Sequence, residues 1–273
     1  MLLGEYKHTL DTKGRLAVPA KYARVRFWRN TEVANLKEAD AAVLGKGVLG
    51  PEWDEDIDNG FRPAGLIQLS ETTVDNVAYV QDLGTVYDSG TATHHMTLYR
   101  APSGALVFSA GTIQYSWGLD DLHNYWTAPG RIRPDPHGAV KAIQQATVNL
   151  FADMGIQPTN LQPDLTPAQP SQDKTGPLAK VESPTKDAVV YGTVLITGTA
   201  ADSGGGVVAG VEVSVDGGKT WHPASGTDKW SYEWQVPQNF QAGMILGRAT
   251  DDSANLETPR NGVKVFGPRA VAP

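Results

Sequence analysis

The chain has 273 residues, 40% of them hydrophobic and 19% charged, which is enough apolar material for two ordinary cores and too little charge for wholesale disorder. A formal net charge of −7 argues against a protein whose main task is gripping a polyanion, because each phosphate contact needs a local cation. The absence of cysteine removes disulfides, thiol catalysis and zinc-thiolate sites together.

The opening Met1-Leu2-Leu3-Gly4-Glu5 lacks the apolar stretch of a secretion signal, and no later window approaches the length of a bilayer span. As translated, the chain is therefore expected to be cytoplasmic and away from membranes, although its domain combination is also compatible with secretion. Lys7, Lys13, Arg15, Lys21, Arg24 and Arg26 make the N-terminus locally basic, a weak pointer to nucleic acid. Tyr6 to Leu10, the turn Asp11-Thr12-Lys13-Gly14 and Arg15 to Val18 stopped by Pro19 predict a β-hairpin. The run from Gly4 to Lys21 resembles the opening of MraZ, a bacterial transcription regulator of the swapped-hairpin AbrB class. That resemblance covers residues 1–24 and implies DNA contact through Asp11, Lys13 and Arg15.

From Val25 the pattern changes. Residues 50–63 are polar and aromatic without either period and predict a long ordered loop, and Leu66 to Leu69 and Val77 to Val80 predict brief strands. Thr91 to Arg100 alternates as a strand should, and Ala105-Leu106-Val107-Phe108-Ser109-Ala110-Gly111 predicts a central parallel strand buried on both faces. After a loop over residues 117–136, Val140, Ile143, Thr147, Leu150, Phe151 and Met154 fall at helical spacing, with Gly155 placed to end the helix. Strand, loop and helix in that order spell the closing unit of an α/β sheet. Pro158, Pro163, Pro167, Pro170 and Pro177 mark residues 157–178 as a semi-rigid, solvated linker. Residues 179–268 show strand-like runs separated by Gly204-Gly205-Gly206, Asp216-Gly217-Gly218 and Asp251-Asp252-Ser253, the spacing of a β-sandwich with Trp221, Trp230 and Trp234 as core anchors.

Several words in the middle segment carry a second resemblance: Phe27-Trp28-Arg29-Asn30-Thr31, Glu52-Trp53-Asp54, Asn59-Gly60-Phe61-Arg62-Pro63, residues 98–108 and residues 110–119, closing with Asn149-Leu150 and Asp153-Met154-Gly155. Residues 25–156 are similar to the C-terminal part of the large, β-type subunit of N,N-dimethylformamidase. Val211 to Trp221 resembles a hairpin of early-set immunoglobulin-like modules, including the dimerisation domain of molybdenum-containing sulfite oxidases. Together these resemblances imply an α/β plus all-β chain, in which a partial glutamine-amidotransferase-like α/β sheet precedes an immunoglobulin-like β-sandwich. In the hydrolase a single iron is held by tyrosines and a glutamate, ligands that lie upstream of the part represented in this chain.

Glu52 matches a carboxylate near that iron, where it would take a proton from metal-bound water; the plainer alternative is a loop cap or a pair with Arg62. His94, Asp120, Asp121 and His123 form a second metal-ligating candidate, with His94 and His95 on opposite strand faces so that at most one can join a given site. Ser103 and Ser109 lack the surroundings of an activated nucleophile. Asp216, Asp251, Asp252, Asn255 and Glu257 could hold calcium, although turn chemistry explains them better. The leading expectation is a non-catalytic accessory or binding module, without a cofactor, that offers its sandwich to a protein or carbohydrate partner. Two alternatives stand beside it: an iron-dependent amidase subunit completed by another chain, and a DNA-binding regulator.

Overall fold

Leu16, Ala17 and Val18 form a short apolar strand, β1 (Arg15–Pro19), that a proline ends. In the computed structural model, which describes residues 15–50, 52–81, 85–124, 132–134 and 138–268, β1 pairs antiparallel with β2 (Ala41–Lys46). The hairpin partner expected at Tyr6 to Leu10 and the turn at Asp11 lie outside the described residues. Three short 3₁₀ turns, at Ala20–Tyr22, Arg26–Trp28 and Glu32–Asn35, lead from β1 to β2.

Next come β3 (Ile67–Gln68), β4 (Thr72–Gln81), β5 (Val86–His94), β6 (Thr97–Arg100), β7 (Leu106–Ser109), β8 (Leu122–Asn124) and β9 (Ile132–Pro134). β4 and β5 make a two-stranded antiparallel ribbon, β8 and β9 another, and β3, β6 and β7 a three-stranded sheet in that order. The chain clusters into two compact units. The first comprises Met1–Asp56, Gln68–Leu98 and Phe108–Ser171, and the second Ile57–Ile67, Tyr99–Val107 and Gln172–Pro273.

The expected central parallel strand does not form. Leu106–Ser109 alternates between half-buried and exposed side chains, and it follows its neighbour β6 through a turn closed by the Ala101 N–H on the Ala105 carbonyl at 2.8 Å. A parallel pair needs a crossover of about a dozen residues or more, so this connection makes a hairpin. The glutamine-amidotransferase-like α/β sheet is thus not supported, and the described residues are mostly β-structure with one α-helix.

That helix, α1 (Lys141–Asp153), forms where expected, with Ile143 and Leu150 buried beside Ala142 and Ala146, whereas Phe151, expected on the same face, is exposed. Gly155, at φ +79°, terminates it, and the Ile156 N–H returns to the Phe151 carbonyl at 2.8 Å. Two buried amides on the same face serve as clamps. Asn149 donates to the carbonyls of Phe27 and Arg29 at 2.9 and 2.6 Å, while Gln145 exchanges bonds with the backbone of Thr166 in both directions. Residues 157–171, placed in a solvated linker by their prolines, instead lie along this helix: Ala168 is buried against Val148 and Ala152, and Leu161 and Leu165 pack beside them.

In the second unit, β10 (Leu178–Ser183), β11 (Thr193–Ala201), β15 (Lys229–Gln235) and β14 (Ser225–Gly226) form one four-stranded sheet. β13 (His222–Pro223), β12 (Val208–Ser214), β16 (Ala242–Asp251) and β17 (Gly262–Phe266) form the other. Alternate residues of both sheets, including Ile196, Val211, Val213, Trp230, Trp234, Ile245, Ala249 and Val265, fill one core. Trp230 and Trp234 anchor it as expected. Trp221 does not, because its ring lies under the Arg248 guanidinium, 4.0 Å from its carbon.

Candidate functional site

The words singled out around Glu52 and Gly111 are neighbours in the first unit. Trp53 bridges Thr112, Asp54 donates its N–H to the Gly111 carbonyl at 2.8 Å, and the Gly50 N–H reaches the Thr112 hydroxyl at 2.9 Å. Glu52 itself is exposed, and its side chain has no hydrogen-bond partner among the described residues. It does not pair with Arg62, which pairs with Glu212.

His94 is completely buried, with Nε2 at 2.9 Å from the Ala110 carbonyl, and burial pushes its pKa down to about 4. A neutral ring is therefore locked in place, with Nε2 as the donor. His95 is also buried, and its Nδ1 accepts the Asp56 N–H at 3.1 Å. Asp120 and Asp121 lie exposed after a 3₁₀ turn at Tyr115–Gly118, where Asp120 accepts the Leu122 N–H at 2.8 Å. His123 occupies β8 opposite Arg133 of β9. Among the described residues, His94, Asp120 and Asp121 do not come together as a group of metal ligands. Asp11 and Lys13 fall outside the described residues, and Arg15 opens β1 opposite Lys46.

A polar cluster that the sequence did not reveal joins residues from four segments of this unit. The Tyr22 hydroxyl donates to Gln68 at 2.7 Å and lies 3.2 Å from Glu71; Lys21 reaches Glu71 at 2.8 Å; Gln68 donates to Asp56 at 2.9 Å. The Glu71 carboxyl is held down to about 2 by His95, whose Nε2 stands 3.9 Å away, and by Lys21, against the opposing cost of burial. The separation to His95 exceeds hydrogen-bonding range. Burial and the Glu71 charge push the Tyr22 phenol well above its ordinary value. No local spacing could have exposed the cluster, since its pairs are 12 to 50 residues apart.

In the second unit, carboxylate oxygens of Asp173, Asp202 and Asp251 all lie within 4.8 Å of one another, close enough to share one hard cation. Asp251 is fully buried, and burial with the Asp173 charge raises its carboxyl to about 6, despite hydrogen bonds from Asn255 and Ser253. Asp216, by contrast, is a turn residue, accepting from Ser214, Lys219 and Thr220 and held down to about 2 by those bonds in spite of a desolvation cost. Of the residues considered for calcium, Asp251 joins this cluster, and Asp173 and Asp202 had no motif to mark them.

Comparison with known proteins places both halves of the chain. Residues 2–128 match the family model "N,N-dimethylformamidase beta subunit-like, C-terminal", and residues 177–264 match "Bacterial Ig domain". The first match starts at residue 2 and so takes in the segment likened to MraZ; that likeness is not supported. Mitochondrial sulfite oxidase of Mus musculus is 30% identical over 150 residues, covering 50% of this chain and 24% of its own, so the chain spans about a quarter of that relative. Among solved structures, the fibronectin(III)-like modules of Clostridium thermocellum CbhA align at 17% identity over 78% of this chain and 82% of theirs, with a TM-score of 0.29. The endo-beta-1,4-mannanase of Thermotoga petrophila aligns at 11% identity over 35% of this chain and 20% of its own, with a TM-score of 0.28. In chain order, then, the first stretch is similar to an N,N-dimethylformamidase beta subunit-like C-terminal domain and the last to a bacterial Ig domain.

Proposed function

We propose that the chain is a non-catalytic binding module, whose Ig-like sandwich offers its surface to a partner while the formamidase-like half serves as a platform. What supports the reading is the state of its candidate acid–base groups. Glu52 stands exposed with no side-chain partner among the described residues, and each buried histidine has a ring nitrogen committed to the backbone, His94 to Ala110 and His95 to Asp56. A general base must reach the proton it removes and be oriented by a second group; Glu52 has no orienting partner among the described residues, and both histidines are shut away from solvent. The test is to incubate purified chain, with and without ferrous iron, with N,N-dimethylformamide and formamide. The expected result is no turnover above buffer; turnover abolished by Glu52→Gln would overturn the reading.

The match of residues 2–128 favours one further reading, a subunit of a metal-dependent amidase acting on C–N amide bonds. In that case a complementing subunit supplies the iron ligands and Glu52 acts as base. Amide hydrolysis that arises only when the two chains are mixed, and falls at least a hundredfold with Glu52→Gln, would support it.

A further inference from the structure

The chain contains two Asn-Gly pairs, Asn59-Gly60 and Asn261-Gly262, and the fold holds them differently. A glycine after asparagine removes the side chain that would otherwise shield the next peptide nitrogen from the asparagine amide. Whether the two groups then react depends on whether the backbone between them can bring them together.

Gly262 opens β17, where it pairs with Leu246, and a Cβ built on it would meet the side chains of Leu246 and Met244 at 2.7 Å. Its peptide is held in the register of a sheet. Gly60, by contrast, is exposed with nothing within 4 Å of its Cβ position, and its N–H donates no hydrogen bond among the described residues. Its φ of +81° is one that glycine adopts readily. The Asn59 Oδ1 accepts the Phe61 N–H at 3.0 Å, which folds the side-chain amide along the chain past Gly60 and polarises its carbonyl. This pair sits between two anchors of the second unit, since Asp58 meets His222 at 2.7 Å and Arg62 meets the buried Glu212 at 2.8 Å.

We propose that Asn59 is a self-modification site, converted through a cyclic imide to aspartate or isoaspartate, and that the isoaspartate loosens the hold of residues 57–67 on the sandwich. The Gly60 backbone nitrogen attacks the side-chain carbonyl carbon of Asn59, and the new C–N bond closes a ring. The side-chain amide nitrogen leaves as ammonia, carrying off the proton that the Gly60 nitrogen gives up. Water then adds to one of the two ring carbonyls and reopens the ring, so water is the sole co-reactant and no electrons are transferred. Opening at the backbone carbonyl leaves the chain running through the former side chain, one methylene longer between Asp58 and Arg62. Two anchors set for the shorter path then cannot both keep their partners, and the pair with Glu212 is the costlier one to lose because it is buried.

The proposal is independent of the binding-module reading, because amide turnover or its absence leaves this chemistry untouched. The experiment is to age the whole chain for days in mildly alkaline buffer and compare the two Asn-Gly peptides by mass spectrometry after digestion. A protein isoaspartyl methyltransferase would report the β-linked product. Asn59 is expected to gain one mass unit about tenfold faster than Asn261, and the aged chain to show a lowered calorimetric transition for the second unit. Asn59→Gln, an exposed substitution whose longer side chain closes a ring reluctantly, should keep both its mass and its transition through the same treatment. An Asn59 that keeps its mass, or an Asn261 that converts as fast, would overturn the site; isoaspartate formation that leaves the transition unmoved would overturn the loosening.

Discussion

Gly111 shows how much one backbone position can decide. Its φ is +61°, and a Cβ added there would collide with the His95 carbonyl and come within 3.0 Å of His94 Nε2. The same glycine carbonyl accepts the Asp54 N–H, so its conformation fixes the segment bearing Glu52 as well as the environment of both histidines. Gly111→Ala is expected to cost about 3 kcal/mol, the sum of left-handed strain and a clash with backbone that cannot yield. Urea unfolding followed by circular dichroism would check this; a loss below about 1 kcal/mol would show that the site relaxes freely.

Among the elements, residues 57–67 are the least expected in their role. Their irregular, aromatic sequence predicts an ordered loop, and ordered they are, as part of the second unit. Arg62 pairs with Glu212 at 2.8 Å and donates to the Leu66 carbonyl, the Gly65 N–H also reaches Glu212, and Asp58 meets His222 at 2.7 Å. The Arg62 and Glu212 side chains are each 7% exposed, so Arg62→Ala would leave a buried carboxylate with one cation where it had two, at a cost of about 3 kcal/mol. Differential scanning calorimetry of the variant should show a lowered transition for the second unit, and an unchanged one would mean the pair contributes no net stability.

The contrast with α1 explains which elements could be read in advance. A helix announces itself by period, and the buried set Ile143, Ala146 and Leu150 follows from local spacing alone. The apolar run at residues 105–111 was ambiguous, because a short strand and its turn leave the same mark whether the strand is central and parallel or half of a hairpin. Proline likewise marks residues 157–171 as non-helical without revealing that Leu161, Leu165 and Ala168 would cover the helix. The Asp173–Asp202–Asp251 group was out of reach for another reason, since it gathers residues from three segments far apart in the sequence.

At the scale of the whole molecule, the two units should answer acid in opposite senses. In the first, His94 falls from 6.5 to about 4 on folding, so as pH drops below 6.5 the unfolded chain binds a proton that the native state refuses. Stability is lost progressively down to pH 4, by about 3 kcal/mol at most, and Glu71 extends the loss from 4.5 toward 2. In the second, Asp251 rises from 3.8 to about 6 and Glu257 rises too, both chiefly through burial, so the native state takes up protons first and gains stability as pH falls from 6 to 3.8. Hydrogen exchange of α1 amides should therefore accelerate between pH 7 and 4.5, after correction for intrinsic rates, while β16 amides become better protected. A parallel loss in both would contradict the assignment, and Asp251→Asn should flatten the response of β16.

The membership of residues 57–67 also bears on how such a chain can be inherited or cut. The Ig-like match opens at residue 177, yet the Glu212 carboxylate inside that module finds an arginine more than a hundred positions upstream, within the stretch matched to the formamidase-like domain. A gene fragment cloned at the family boundary would carry off the acid without that arginine. Recombination that shuffled the sandwich alone would need a replacement cation or a neutral residue at position 212, so the portable piece is larger than sequence similarity draws it.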